Sequence, residues 1–307
     1  MKLKISELED IINKSLLKKY DPKQAKLISD VILFGEISGK TSHGLVRLIV
    51  ADSSVLAQNP TGKPLIIKKT KFSSIIESNS NPAMLIASLA MSEVIRLAEK
   101  NGIGIVGTRG TYSTSGCLSY YLEKIGKKNL IGIIMARSPN DTVPFNSLEK
   151  LFGTNPIGFV FPTSLSPFIF DMATSAISYG AIIKAQAIGQ KLPENVAINK
   201  EGNLTTDPSE ALEGGILPFD RSYKGSGLGM VVEMLAGALT GAGFTDINND
   251  NGWGNLFLAF SPSIISDEAE FKNNVHKLIE RVRNSKTRDG KKVRIPGEKT
   301  LAIRDQV

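Results

Sequence analysis

The chain has 307 residues, of which 41% are hydrophobic and 22% charged, and carries a formal net charge of +7. That length holds one large or two modest globular domains. A single cysteine, Cys117, excludes a disulfide framework and any multi-cysteine metal centre, so no metal site is expected and a reducing cytoplasm is the expected compartment.

The positive charge does not point to nucleic acid. The basic residues are scattered, apart from Lys286, Arg288, Lys291 and Lys292, and no Cys/His finger or aromatic ribonucleoprotein motif accompanies them. An anionic cofactor, or just a Lys-rich composition, accounts for the charge more simply. Met1-Lys2-Leu3-Lys4 runs straight into Ser6-Glu7-Leu8-Glu9, so no signal peptide is expected.

In chain order, Ser6 with Glu9 reads as a capping box opening a first helix, whose apolar stripe is Leu8, Ile11, Ile12, Leu16 and Leu17. Asp21-Pro22 opens a second helix, running to about Gly35 or Ile37. Gly39 ends it, and a third helix is expected from near Gly44 to Asn59-Pro60. Residues 64–76 are β-rich with a turn at Thr70-Lys71, and a helix over 82–100 stops at Asn101-Gly102. Strands are expected at 103–107, 130–135, 157–161 and 168–171, with a helix over 118–125. A further helix is expected to start within Met172–Ser175, and Asp207-Pro208 and Pro218-Phe219 bracket a loop region. The apolar stretch from Leu228 to Phe244 contains Glu233 and many Gly and Ala residues, so it reads as a buried helix and not as a membrane span. A strand over 254–260 and a helix over 268–283 complete the pattern. Strands and helices mix without regular alternation, which predicts an α/β fold on a mixed-strand sheet. Gly102, Gly104 and Gly107 spell G-x-G-x-x-G, but they lie within an apolar run and not after it, so this is no dinucleotide fingerprint.

Three stretches carry candidate chemistry. In Thr41-Ser42-His43-Gly44-Leu45-Val46-Arg47, a hydroxyl and an imidazole are followed by a guanidinium able to grip a carboxylate. If a helix begins near Gly44, Ser42 and His43 lie at its N-terminus, where free N–H groups favour anions. Equally, Ser42 can be a cap, His43 a packed loop residue and Arg47 a solvated charge. Lys224-Gly225-Ser226-Gly227 at a helix start suits a phosphate or carboxylate, although the glycines can also serve close helix packing. Asp171-Met172-Ala173-Thr174-Ser175 puts a carboxylate at a strand end ahead of hydroxyls, which an N-cap cluster would equally explain.

Ser42-His43-Gly44 with Arg47 four residues after the histidine resembles the hallmark of the type-2 malate/L-lactate dehydrogenases. These are non-Rossmann, NAD(P)-dependent oxidoreductases of 2-hydroxy, 2-keto and cyclic imino acids. Gly153-Thr154-Asn155-Pro156, Asp171 to Ser175, Thr206-Asp207-Pro208, Tyr223-Lys224-Gly225 and Pro296-Gly297-Glu298 resemble further landmarks of that family, in its order. The likeness spans roughly residues 5–299.

The resemblance implies a non-Rossmann dinucleotide-binding fold with a helical N-terminal portion (1–62, packed with 266–307) and an α/β sheet portion (63–265) that binds NAD or NADP. It implies a homodimer, and a small carboxylate as substrate. Ser42, His43 and Arg47 match substrate-side positions, with Arg47 as clamp and His43 orienting or protonating the oxygen. Ser138, Asp171, Met172, Ala173, Thr174, Lys224, Gly254, Asn255 and Leu256 match cofactor-side positions.

Several positions depart from the family. Where it has an acid/base histidine in N-H-F-G or N-H-Y-G, this chain has Gly110-Thr111-Tyr112-Ser113-Thr114-Ser115-Gly116. His43, Tyr112 or a water held by Ser113 are the expected replacements. Ala51 stands where a tyrosine is frequent, Asn146-Ser147 stand where the family has Gly-Gly, and a C-terminal element is expected to be absent. The alternative reading is a non-catalytic descendant that binds a dinucleotide or metabolite.

Overall fold

A computed structural model describes residues 3–49, 54–243 and 252–306. Helices α1 (Ile5–Leu16) and α2 (Pro22–Ile37) lead through a 3₁₀ turn (Thr41–His43) to a single turn of helix, α3 (Val46–Ile49). The main sheet contains β1 (Leu65–Lys69), β2 (Ser73–Glu77), β3 (Ile103–Thr111), β4 (Ile131–Arg137), β5 (Ile157–Phe161), β6 (Phe168–Met172) and a late strand, β10 (Trp253–Phe260). Their order across the sheet is β1-β2-β3-β10-β4-β5-β6, with β2 and β3 parallel and every other neighbouring pair antiparallel. This is the mixed sheet expected from the sequence, and its strand order is not that of a doubly wound Rossmann domain.

Helices α4 (Ala83–Asn101) and α5 (Leu118–Gly126) cover the sheet. One apolar core runs from Ile12 and Leu16 through Ile28 and Ile32 to Met84, Leu85, Tyr121 and Phe257. Within it Phe34, Tyr120, Tyr121 and Phe257 meet edge-on in series, at centroid separations of 5.5, 5.2 and 5.8 Å, the arrangement that aromatic quadrupoles favour. Gly104 lies inside β3, where a Cβ would come within 2.6 Å of the Val94 carbonyl oxygen. It serves the packing of α4 on the sheet, which is why the glycine run is no phosphate loop.

A second unit follows β6: α6 (Tyr179–Ala187), β7 (Ala197–Ile198), β8 (Leu204–Thr205), α7 (Pro208–Glu213) and β9 (Gly215–Ile216), the three strands forming a small sheet ordered β8-β7-β9. It encloses its own cluster of Ile182, Leu192, Val196, Ala197, Ala211 and Ile216. Then come α8 (Tyr223–Val232) with a π-helical continuation (Glu233–Ala238), α9 (Glu268–Arg283) and α10 (Glu298–Arg304). No helix among the described residues is long and apolar enough to cross a membrane.

Several expectations are corrected. Helix α1 starts one residue before Ser6, and its first N–H, from Lys4, goes to Glu7 at 2.8 Å, so the Ser6–Glu9 box does not form. The third helix begins only at Val46, because the backbone at Gly44 leaves helical geometry (φ −97°, ψ −136°) to pack against α2, and residues 54–59 are not helical. Its expected continuation through Val50 to Ser53, including Ala51, falls outside the described residues. No helix starts at Met172–Ser175, since backbone bonds tie Thr174 and Ala176 to Thr154, Leu217 and Phe219. That helix, α6, begins only after Ser178. Asp207-Pro208 is no loop boundary but the capped start of α7, with Asp207 accepting the N–H groups of Ser209 and Glu210. The Leu228–Phe244 stretch is not wholly buried: Met230, Met234 and Leu239 are exposed, while Gly229, Val232 and Ala236 face inward.

Candidate functional site

Two glycines fix the turn that carries Ser42 and His43. A Cβ on Gly35 would come within 2.6 Å of the His43 carbonyl oxygen, and one on Gly44 within 2.1 Å of a Glu36 carboxylate oxygen. Without side chains there, the turn lies directly on α2, and Glu36 accepts the Leu45 N–H at 3.0 Å. That carboxylate takes the place the sequence reading gave to an anionic ligand, and Ser42 and His43 occupy a 3₁₀ turn and not the N-terminus of an α-helix. Arg47 folds back so that its Nε donates to the Ser42 carbonyl at 2.8 Å. The Ser42 hydroxyl and His43 Nδ1 are 2.9 Å apart.

Asp171, at the end of β6, reaches the same stretch. Helix α5 begins after Cys117, which offers no side-chain cap, and Asp171 Oδ2 fills that role by accepting the Ser119 N–H at 3.2 Å and the Ser119 hydroxyl at 2.6 Å. Lys40 Nζ donates to Asp171 Oδ2 at 2.7 Å and to Ser119 Oγ at 2.8 Å. Three donors therefore converge on one carboxylate oxygen at a helix N-terminus, where negative charge is favoured. From the other side, a Cβ at Gly180 in α6 would lie 3.2 Å from Ser42 Cβ and 3.8 Å from an Arg47 guanidinium nitrogen. Residues 40–47 and 171–180 thus meet at Lys40 with Asp171 and at Ser42 and Arg47 beside Gly180.

The charges there act on one another. Burial pushes the His43 pKa down to about 4, Arg47 and Lys40 push the same way, and Asp171 opposes them. His43 is therefore a neutral imidazole at neutral pH. Burial works against a charged Asp171, but Lys40, Ser119 and His43 outweigh it and hold the carboxyl below its usual range. Burial likewise works against a charged Lys40, yet Asp171 keeps its pKa above the ordinary value. Lys40, Ser119 and Asp171 form a polar section in the wall of a cavity of about 410 Å³ that Pro296, Gly297 and Glu298 also line. Ser42, His43 and Arg47 do not line it.

Apart from Asp171, most residues expected on the cofactor side gather around α8 and its π-helical continuation. Ser138 Oγ accepts the Thr154 N–H at 3.1 Å, and the Thr154 carbonyl accepts the Thr174 N–H at 3.0 Å. Gly153 permits this approach: a Cβ there would sit 2.2 Å from Ser138 Oγ. Asn155 donates to Glu233 at 2.7 Å, and Glu233 also receives Arg137 Nε at 3.2 Å with both charged side chains buried. Met172 and Leu256 pack with Leu228, Val232 and Ile157. A Cβ on Gly254 would come within 2.0 Å of the Ala236 carbonyl oxygen, so β10 and the π-helical turn touch there. Such turns often mark functional sites.

Some expected site residues have structural work instead. Ser113 is fully buried, and its hydroxyl accepts the Ala83 N–H at 3.0 Å, capping α4 where Pro82 offers no side-chain acceptor. Tyr112 lies half exposed beyond the end of β3. Asn255 is fully buried, its amide donating to Thr108 Oγ1 at 3.0 Å and accepting the Ser115 hydroxyl at 2.7 Å. Lys224 is exposed, as a phosphate ligand should be, but the helix N-terminus beside it is not open. Asp220 accepts the Gly225 N–H at 3.0 Å, and Ser222 Oγ accepts that of Lys224 at 3.1 Å. Any anion there meets the lysine side chain and not those two N–H groups.

Sequence reading missed Lys40, Ser119, Arg137 and Glu233. A lone acid in the apolar run at 228–244 was the available signal for Glu233, since a buried carboxylate demands a partner. Lys40 directly precedes the Ser-His-Gly stretch, but only the fold brings Asp171 and Ser119 to it.

The sequence model of the malate/L-lactate dehydrogenase family matches residues 3–307. The chain belongs to that family. The relatives it resembles carry the names of dehydrogenases and a reductase, and the chain is an oxidoreductase of this kind. It is 34% identical over 293 residues to the L-sulfolactate dehydrogenase of Methanocaldococcus jannaschii, covering 92% of this chain and 85% of that one. It is 32% identical over 258 residues to the Delta(1)-pyrroline-2-carboxylate reductase 1 of Burkholderia ambifaria, covering 80% and 75%. The crystal structure of the M. jannaschii sulfolactate dehydrogenase superposes with a TM-score of 0.88 at 32% identity, covering all of this chain and 91% of that one. The resemblance read from the Ser-His-Gly stretch is borne out.

Proposed function

We propose that this malate/L-lactate dehydrogenase family member transfers a hydride between NAD or NADP and a small carboxylate-bearing 2-hydroxy acid, 2-keto acid or cyclic imino acid. The observation that carries the reading is the meeting of residues 40–47 with 171–180, which puts Arg47, His43, Lys40 and Asp171 in mutual electrostatic reach. A bound nicotinamide dinucleotide would supply or take up the hydride. The residues present fit such a group. Lys224 is exposed in the first turn of α8, and a Cβ on Gly227 would meet nothing within 4 Å, so that flank stands open to a large ligand. Arg47 clamps the substrate carboxylate, whose planar oxygens match a guanidinium fork. Neutral His43 orients the reacting oxygen. The names of relatives acting on sulfolactate and pyrroline carboxylate support both oxygen and imine chemistry. The sheet portion 63–265 carries the cofactor, and the working form is a cytoplasmic homodimer.

Lys224→Ala should weaken binding of the reduced dinucleotide by roughly 1.5–3 kcal/mol, the range for hydrogen bonds to a charged group, with no loss of fold because the side chain is exposed. Fluorescence titration with NADH and with NADPH measures this directly. Wild-type affinity in the variant would remove Lys224 from the cofactor site, and no binding by the parent chain would remove the cofactor.

A further inference from the structure

We propose that the cavity of about 410 Å³ along β6 is a second ligand site, separate from the substrate and cofactor positions, and that it takes a small organic anion with an apolar body. Of the residues expected to touch substrate or cofactor, only Asp171 lines it. Its size lies within the range of pockets that hold small molecules. One wall is β6, the edge strand of the main sheet, through Phe168, Ile169 and Phe170. The C-terminal segment supplies another, through Ile295, Pro296 and Leu301. Gly297 lets that segment approach the strand: it sits at φ +87°, and a Cβ there would be 3.0 Å from the Ile169 carbonyl oxygen. A ligand held between these walls meets aromatic and aliphatic surface.

The charges decide the class of ligand. Three carboxylates line the cavity, and each already has its cation: Asp171 has Lys40 at 2.7 Å, Glu123 has Arg304, and Glu298 has Arg283. Lys40 has no proton left to offer, since its ammonium is bonded to Asp171, Ser119 and Cys117. Arg294 and Lys299 also line the cavity, and among the described residues neither side chain has a hydrogen bond or an ion pair. Both residues are exposed, so they remain available. The stretch leading to Arg294 carries Lys286, Arg288, Lys291 and Lys292 against one acid, Asp289, which Lys291 holds at 3.0 Å. That run is the one concentration of basic residues in the sequence, and it gives the segment a positive potential that draws anions. A neutral or cationic ligand would leave Arg294 and Lys299 without a counter-charge. A carboxylate, sulfonate or phosphate on an apolar body meets both features of the cavity at once.

Fluorescence titration with 8-anilinonaphthalene-1-sulfonate tests this, beside N-phenyl-1-naphthylamine, the same aromatic body without the sulfonate. The parent chain should bind the sulfonate about tenfold more tightly than the neutral compound, and should lose that advantage as salt screens the cations. Saturating NAD or NADP with a 2-keto acid should not displace the probe. Arg294→Gln with Lys299→Gln should weaken the sulfonate by about the same tenfold, the worth of one charge-assisted hydrogen bond, and leave the neutral compound unaffected. Both side chains are exposed, so this double variant should keep the parent's Tm. Thr300→Trp, which puts an indole in the cavity wall, should remove both ligands. Parent-like affinity for the sulfonate in the double variant, or equal affinity of the parent for the two compounds, would overturn the proposal whether or not Thr300→Trp folds. Displacement by cofactor or keto acid would overturn it too, by assigning the probe to the reaction site. So would affinity that falls with rising chain concentration in step with self-association seen by sedimentation, since a second copy then fills the cavity. No turnover enters these measurements, so they stand or fall apart from the hydride-transfer reading.

Discussion

Arg47→Lys is expected to raise KM for the carboxylate substrate by roughly 10- to 150-fold, equivalent to losing about 1.5–3 kcal/mol of charge-assisted hydrogen bonding. The charge survives the change. What disappears is the planar fork, which an ammonium cannot reproduce. Arg47 also donates through Nε to the Ser42 carbonyl, so part of the turn's support is lost. Thermal unfolding and cofactor titration of the same variant separate the two effects: a KM change at an unaltered Tm belongs to the carboxylate. Steady-state kinetics with an unchanged KM would move the clamp away from Arg47.

Glu233→Leu should destabilise the fold by about 3–5 kcal/mol, because it strands the Arg137 cation in the interior. Arg137 is fully buried, and its other bonds, to the Gly252 carbonyl at 2.6 Å and the Asn140 amide oxygen at 3.2 Å, bring no counter-charge. At roughly 2–4 °C per kcal/mol for a domain of some 200 residues, the Tm should fall by about 10 °C. The double variant Arg137→Met with Glu233→Leu should recover much of that loss, since it removes the desolvated charge along with its partner. A double variant less stable than either single one would mean that the pair is stabilising in its own right. Asn155 ties this pair to the Gly153–Pro156 turn, so the losses should also appear in cofactor affinity.

Much of this fold was legible in advance, for local reasons. Asp21-Pro22 opens α2 because the Asp21 carboxylate accepts the N–H groups of Lys23 and Gln24 and proline fits the first helical turn. Gly102 ends α4 at φ +81°, a conformation glycine adopts freely. Helix α9 spans Glu268–Arg283 as read, with Asp267 capping it. What escaped depends on contacts distant in sequence. The strands β7, β8 and β9 are two residues each, too short for any periodicity to register. Helix α3 starts later than its sequence suggests, where Glu36 reaches Leu45 across the turn. The π-helical turn at 233–238 follows a sequence that reads as plain helix.

The site divides in the same way. Ser42, His43, Arg47 and Asp171 could be picked out by type and spacing, and the fold gathers them. Their protonation states could not be read. Whether His43 is charged depends on Arg47, Lys40 and Asp171, the last lying 128 positions further along the chain. Lys40 and Ser119 carry no motif of their own, because each gains meaning only from Asp171 between them.

The measurement that bears most directly on the account is oxidation of NADH and NADPH by the purified chain, in the presence of paired 2-keto acids and cyclic imino acids with and without their carboxylate. The account predicts turnover of at least one carboxylate-bearing compound and its collapse when the carboxylate is replaced by a neutral group. Firm cofactor binding with no turnover of any compound, or equal turnover of the pairs, would contradict it.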